Sequence, residues 1–147
     1  MKNILLSLIL MNGLLMADYS RDDKTNIVTD SYSGLMWQDE ENIISDTWEN
    51  AMRQCKVLEL GGYDDWRLPN INELFRIVNK SSNYKSPRIN KVYFRYTESS
   101  GYSHYWSSTT SISNYLYSWG ISFNTGEVST NKKTDDDLYI RCVRGGK

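Results

Sequence analysis

Histidine, cysteine and proline are scarce in this sequence, which has one histidine, two cysteines and two prolines among 147 residues. A transition-metal site needs about four nitrogen or sulfur ligands, more than these residues supply. A catalytic triad would need His104 beside Ser107 or Ser108, and the segment YWSST lacks the glycines of a nucleophile elbow. These absences argue against triad and transition-metal chemistry, and the shortage of proline argues against a rigid linker between domains.

An excess of charge of one sign is also missing. The chain carries 17 lysines and arginines against 18 aspartates and glutamates, which gives a net charge of −1. The basic residues form no obvious stripe, so the charge pattern does not indicate nucleic-acid binding. Long apolar runs are absent after residue 17, and we therefore expect no membrane span in the rest of the chain.

The first 17 residues have the layout of a secretory signal peptide. Lys2 precedes an apolar stretch over residues 4–16, and the small residue Ala17 ends it before Asp18. The stretch is shorter than the roughly 20 residues that cross a bilayer. We predict a signal peptide over residues 1–17 and a single domain over residues 18–147, exported to the periplasm or the cell surface. An uncleaved segment would tether the same domain to the inner membrane.

Both cysteines, Cys55 and Cys142, follow this segment. Disulfides form in exported proteins, and two cysteines allow one intramolecular pairing. The sequence therefore predicts a Cys55–Cys142 bridge, and the alternative is a pair of buried free thiols.

Two helices are predicted after an N-terminal hairpin whose strands lie near residues 27–29 and 35–37. The first helix follows Thr47 and stops at two glycines, Gly61 and Gly62. Its apolar face consists of Trp48, Ala51, Met52, Cys55 and Leu58. The second helix follows Asn70, which forms a capping box with Glu73. Its inward face consists of Leu74, Phe75, Ile77 and Val78.

A long polar loop rich in serine, asparagine and tyrosine follows, and strands begin at residue 104. In the middle strand run, odd-numbered residues alternate and are expected to share one face. They are Tyr115, Tyr117, Trp119, Ile121 and Phe123. The order of elements predicts an α+β fold with two helices packed on a twisted antiparallel sheet and with long loops. The bridge would then join the first helix to the last strand.

Six motifs occur in order: SGLMWQD, TWENAMRQC, GGYDDWRLPNINEL, YWSST, a Trp to Phe strand ending in a glycine turn, and IRCVRGG. Together they resemble the Lcl C-terminal domain family, named for the C-terminal domain of the Legionella collagen-like adhesin. The resemblance covers about residues 27–146. It implies the C-type lectin-like fold shared with formylglycine-generating, sulfatase-modifying enzymes, in which a disulfide also joins the first helix to the last strand.

The resemblance also implies functional properties. In the adhesin, the domain is associated with sulfated glycosaminoglycans and with trimers, which suggests a carbohydrate ligand and a homo-oligomer here. The chain lacks the surplus of lysine and arginine that sulfate recognition favours. Relatives in the wider fold bind calcium, and acidic clusters at residues 39–41, 64–65 and 135–137 could supply oxygen ligands. None of the clusters has the alternating loop pattern of a calcium site, so we predict no cofactor, with calcium as the weaker alternative.

The segment around DDWRLPN is interpreted as a structural motif. A carboxylate beside Arg67 could act as an acid-base pair, but the residues also suit a loop that leads into a helix. Trp66 and Leu68 are predicted to lie in the core. The residues that would fix the loop are Asp65, Arg67, Asn70 and Glu73.

Aromatic residues beside the predicted loops are the candidates for ligand contact. Tyrosine offers a flat apolar face with a hydroxyl group, which suits stacking on sugars or packing on a protein partner. The candidates are Tyr102, His104, Tyr105, Tyr115 and Tyr117. For Tyr115 and Tyr117 the alternative is packing against the helices.

Export, the resemblance and the missing catalytic set together predict a noncatalytic binding module of the bacterial cell envelope. Its ligand would be a glycan or an envelope protein. The alternative is an enzyme of the formylglycine-generating type that acts on an exported substrate, which would require a reactive cysteine. A third interpretation is a structural subunit whose aromatic face is an assembly interface.

Overall fold

The computed structural model describes residues 18–81, 87–101 and 103–146. The predicted signal peptide and the ligand candidate Tyr102 lie outside the described residues and stay predictions. Within the described part, neither helix has the length and hydropathy needed to cross a bilayer.

The described residues form two antiparallel sheets and two short helices. One sheet has the order β1-β2-β3-β7, and the other has the order β4-β5-β6. The strands of the first sheet are β1 (Tyr19–Asp22), β2 (Ile27–Asp30), β3 (Leu35–Gln38) and β7 (Val143–Gly145). The strands of the second are β4 (Tyr105–Thr110), β5 (Tyr117–Ile121) and β6 (Val128–Lys132). The predicted α+β class is confirmed, whereas the expectation of a single sheet is corrected to two.

The N-terminal hairpin forms as its sequence pattern indicates. In β3, Leu35 and Trp37 are buried and alternate with half-buried neighbours, as expected for a strand with one face on the core. Gly34 closes the turn between β2 and β3 with a positive φ of 72°, and the Asp30 carboxylate accepts hydrogen bonds from the turn. The first sheet is completed by β7, so the end of the domain pairs with β3 near its start.

Helix α1 (Trp48–Lys56) buries Ala51 and Cys55, while Met52 from the predicted apolar face is exposed. Thr47 is the N-cap, but its side chain makes no capping hydrogen bond. The helix ends before the predicted glycine stop, because the N–H groups of Val57 and Leu58 turn back to carbonyls of the last turn.

Helix α2 (Ile71–Arg76) has the predicted capping box. Asn70 accepts a hydrogen bond from the Glu73 N–H, and the Glu73 side chain accepts one from the Asn70 N–H. Leu74 is buried, but Phe75 is exposed and packs under the Lys80 ammonium group. A six-residue helix presents too little apolar surface to bury both, so the prediction that Phe75 faces the core is wrong.

Strand β5 is covered on both faces, which the alternation of its large residues did not predict. Ser118 and Gly120, which lie on the opposite face from the large odd-numbered residues, are also buried. A methyl group added at Gly120 would lie 3.2 Å from Leu138 Cδ2 and 3.0 Å from the Tyr105 carbonyl oxygen. The chain after β6 therefore covers this face, and only a glycine leaves room for it.

The core consists of two adjoining clusters. The larger one joins the two sheets and α2, with Trp37, Leu74 and Phe123 among its buried members. The second surrounds α1 and the disulfide, and includes Trp66 and Leu68, which are buried as predicted. The long connection between α2 and β4 adds Phe94 to the larger cluster, so this loop is anchored in the core by its apolar side chains.

Candidate functional site

The predicted disulfide is present and fully internal. Cys55 in the last turn of α1 is bonded to Cys142, with the Cα atoms 5.4 Å apart. Cys142 directly precedes β7 rather than lying inside it. Both residues are buried, and no cysteine is free. The bridge therefore fixes α1 against the entry to the last strand and leaves no thiol for chemistry.

Beside the bridge lies a buried ion cluster, the Asp39 cluster, made of Arg21, Asp39 and Arg141. Their side chains expose at most 4% of their area. The Asp39 Oδ2 atom accepts hydrogen bonds from the Arg21 guanidinium and from the backbone N–H groups of Arg95 and Tyr96. The cluster thus joins β1, the end of β3, the long loop and the segment before β7.

Arg141 is further enclosed by aromatic rings. Its guanidinium carbon lies 5.2 Å from the centre of the Phe94 ring and 5.6 Å from that of Tyr105. Cation–π attraction of this kind compensates part of the cost of burying the charge. Even so, the Nε and Nη1 atoms of Arg141 have no hydrogen-bond partner among the described residues, and Asp39 Oδ1 contacts Arg141 as an ion pair without hydrogen-bond geometry.

A cleft of about 580 Å³ opens next to this cluster. Its walls come from the segment after β3, from α1 and from the segment before β7, so the disulfide and the Asp39 cluster hold its sides together. The lining residues are Asn26, Gln38, Asp39, Glu40, Glu41, Asn42, Ile43, Ile44, Gln54, Leu58, Tyr96, Ile140, Arg141 and Cys142. The ligand candidates that the structure describes, His104, Tyr105, Tyr115 and Tyr117, do not line this cleft.

The turn between β4 and β5, residues 111–116, forms a second feature, the hairpin tip. Its polar side chains bond within the turn: the Ser111 and Ser113 hydroxyls lie 3.0 Å apart, and Asn114 Oδ1 accepts from the Leu116 N–H. Its large side chains point outward, with exposed fractions of 105% for Ile112 and 76% for Tyr115. The tip therefore presents apolar groups on a backbone that is held by its own hydrogen bonds.

Two of the ligand candidates from the sequence, His104 and Tyr115, lie at opposite ends of the second sheet. Tyr115 lies at the hairpin tip and half-buried Tyr117 at the start of β5, whereas His104 precedes β4 at the opposite end. The six residues of β4 put these two ends about 17 Å apart. The structure therefore does not bring His104 and Tyr115 into one site.

Tyr105 is a buried core residue rather than a surface contact. Its exposed fraction is 0%, its ring packs on Phe123, and its hydroxyl accepts a hydrogen bond from the Glu98 N–H. Burial raises the pKa of Tyr105 to about 12. An aromatic residue near a loop predicts a surface contact, and the burial of Tyr105 corrects that prediction.

His104 lines a shallow pocket with the acidic residues 135–137. In the part of the chain that the structure describes, no group of three or more His, Cys, Asp or Glu side chains is arranged to hold a metal ion. The acidic cluster is exposed at the surface, and one carboxylate, that of Asp135, accepts a hydrogen bond from the Lys132 N–H.

The DDWRLPN segment stabilises the junction between α2 and the last strand. Arg67 donates two hydrogen bonds to the Glu73 carboxylate, at 2.8 and 2.6 Å. Asp65 instead accepts from Arg144 in β7, whose guanidinium carbon lies 3.6 Å from the centre of the Tyr63 ring. Asp65 and Arg67 therefore each have a charged partner within the domain, in keeping with a structural role.

The family model of the Lcl C-terminal domain matches residues 26–144. This chain belongs to the Lcl C-terminal domain family. The match begins just before β2 and ends within β7, so the disulfide, the cleft and the hairpin tip all lie inside the Lcl domain. No curated protein matches the sequence significantly.

Membership relates the chain to an adhesin module. A buried disulfide is characteristic of proteins that fold in an oxidising compartment. The family and the disulfide together indicate a location outside the cytoplasm.

Proposed function

We propose that this Lcl domain is a noncatalytic binding module of the bacterial cell envelope, exported by residues 1–17, whose ligand is a glycan or an envelope protein. A C-type lectin-like scaffold is part of the proposal, supported by the covalent link between α1 and the entry to the last strand. Family membership supports a role in adhesion.

The hairpin tip is the observation that carries the proposal. Exposed apolar side chains are unfavourable in water. Because the polar groups of the tip already form hydrogen bonds within the turn, the tip loses little conformational entropy when it binds a ligand. Tyr115 adds a flat ring with a hydroxyl group, suited to the face of a sugar or to a protein surface.

The alternative, an enzyme of the formylglycine-generating type, has less support. Such chemistry needs a reactive thiolate, and both cysteines are held in the buried bridge. Alkylation of the native protein without reductant tests this point: labelling of either cysteine would revive the enzyme hypothesis.

The binding hypothesis is tested by presenting the purified protein to a glycan array and to separated envelope proteins. An Ile112→Ser/Tyr115→Ala variant is compared with the wild type, and Val57→Ser, which alters an exposed apolar residue outside the tip, is the matched control. We expect at least one ligand from these collections to bind the wild type and the control but not the tip variant. Absence of binding to both collections would contradict the proposal.

A further inference from the structure

The cleft beside the Asp39 cluster has the chemistry of a saccharide site, and we infer that it binds an uncharged, hydroxyl-rich sugar. The inference rests on the proposed function in that the domain must act as a binding module, but it assigns the ligand to a different place from the hairpin tip. The ligand class is an uncharged glycan and not a sulfated one.

Polar groups with unused hydrogen-bonding capacity line this cleft. The Asn42 amide and the Tyr96 hydroxyl make no hydrogen bond among the described residues, although both line the cleft. Gln54 uses its Nε2 atom to bind Asp46 and leaves its Oε1 atom without a partner in the described part of the chain. Amide and phenol groups both donate and accept, which matches the dual character of sugar hydroxyls.

The charges of the lining favour a neutral ligand. Three carboxylates, those of Asp39, Glu40 and Glu41, face one guanidinium group, that of Arg141. Asp39 and Arg141 form an ion pair at 3.0 Å. The remaining charge of the cleft lining is therefore negative and comes from the two glutamates. A sulfate or carboxylate group would meet like charge there, whereas a neutral hydroxyl can donate to these oxygens.

An apolar side completes the match to a sugar ring. Ile43, Ile44 and Leu58 line the same cleft as the amides, and Ile44 is exposed. A pyranose has polar edges and an apolar C–H face, so it can contact both kinds of group at once. The volume of about 580 Å³ falls in the range of small-ligand sites.

The walls of the cleft are preorganised. The amide of Gln38 accepts a hydrogen bond from the Cys142 N–H and donates one to Glu40. The disulfide holds α1 to the same segment, and the Asp39 cluster fixes the loop that carries Tyr96. The conformational entropy of these walls is therefore lost when the domain folds, and little more is lost when a ligand binds.

The test uses the full exported domain and titration calorimetry with fragments of glucan, mannan, galactan and chitin, next to heparin and dextran sulfate as charged probes. We expect at least one uncharged fragment to bind and the sulfated probes to bind more weakly. Asn42→Ala/Tyr96→Phe and Gln54→Ala should each weaken binding about tenfold, which corresponds to about 1.4 kcal/mol. Circular dichroism checks that the variants fold.

Val57→Ser, which alters an exposed apolar residue outside both the cleft lining and the hairpin tip, is the matched control and should bind the uncharged fragment as the wild type does. If the cleft variants bind normally while the tip variant does not, the inference is wrong and the proposed function stands. Binding of the sulfated probes alone also overturns the inference. If none of these glycans binds, the inference is wrong as well, and the proposed function then depends on a protein ligand.

Discussion

Asp39 and Arg141 form an ion pair inside the domain, with Oδ1 and Nη2 3.0 Å apart and both side chains almost fully excluded from water. Arg21 approaches the other carboxylate oxygen from β1. The three residues come from the beginning, the first third and the end of the chain. Their contact therefore exists only when the whole fold has formed. Asp39 and Arg141 also line the cleft, so the contact fixes part of its wall.

Substituting Asp39 should destabilise the domain strongly. Asp39→Ala leaves two buried guanidinium groups without their anion, and breaking a buried pair in this way costs about 3 to 5 kcal/mol. The free energy of unfolding in urea measures the effect. Asp137→Asn is the control, because Asp137 is exposed and makes no ion pair among the described residues. A loss no larger than that of the control would show that the cluster does not stabilise the fold.

The sequence predicted local structure better than it predicted long-range contacts. The hairpin at residues 27–38 and the capping box at Asn70 depend on neighbours in the chain, and both were predicted correctly. The disulfide was predictable because two cysteines allow one pairing.

The Asp39 cluster and the cleft were missed, because their members are far apart in sequence. One signal existed: Arg141 interrupts the apolar run LYIRCV, and a charge within a buried segment requires a partner. The run of acidic residues 39–41 suggests calcium ligands, whereas in the structure Asp39 is the partner of Arg141. Burial of both faces of β5 could not be predicted either, because it depends on where the chain after β6 returns.

Removing the disulfide should lower stability substantially. The bridge closes a loop of 87 residues, and the chain-entropy model gives an upper value of about 4 to 5 kcal/mol for such a loop. Alanine at both positions keeps the buried sites apolar, so Cys55→Ala/Cys142→Ala isolates the cross-link. We expect this variant and the reduced wild type to unfold at similar, lower urea concentrations than the oxidised protein. Equal stability of the variant and the oxidised protein would contradict the prediction.

Buried Tyr105 and half-buried Tyr19 should make the domain sensitive to alkaline pH. Burial raises the pKa of Tyr105 from 10.0 to about 12, and burial, followed by the nearby Asp30 carboxylate, raises that of Tyr19 to about 12. The folded state thus favours the neutral phenols. Their contribution to stability is fully present below pH 10, the pKa of the unfolded chain, and is lost as the pH rises through about 12.

Tyr19→Phe provides the matched control for this alkaline effect. The hydroxyl of Tyr19 makes no hydrogen bond among the described residues, and its ring packs edge-on against Phe94, so phenylalanine keeps the packing and removes the ionisation. The free energy of unfolding of the variant should fall less between pH 10 and 12 than that of the wild type. Identical pH profiles would show that Tyr19 is not responsible.

Glu73 should stabilise the domain through two separable contacts. It accepts the Asn70 N–H as part of the capping box and binds the Arg67 guanidinium with both oxygens. Glu73→Ala removes both and should cost about 1 to 2 kcal/mol. Glu73→Gln can keep the capping bond and should cost less than about 1 kcal/mol. The free energies of unfolding of the two variants in urea measure these contributions at neutral pH.

The same pair of variants predicts an acid dependence. Burial raises the pKa of Glu73, but the hydrogen bonds from Arg67 and from the Asn70 backbone outweigh it, so the net pKa lies below the ordinary value of 4.5. The stability that the carboxylate supplies is therefore present above pH 4.5 and is lost as the pH falls through the lowered pKa of the folded state. Glutamine cannot ionise, so the difference in unfolding free energy between the wild type and Glu73→Gln should shrink on acidification. A constant difference would mean that Arg67 does not stabilise the charged form of Glu73.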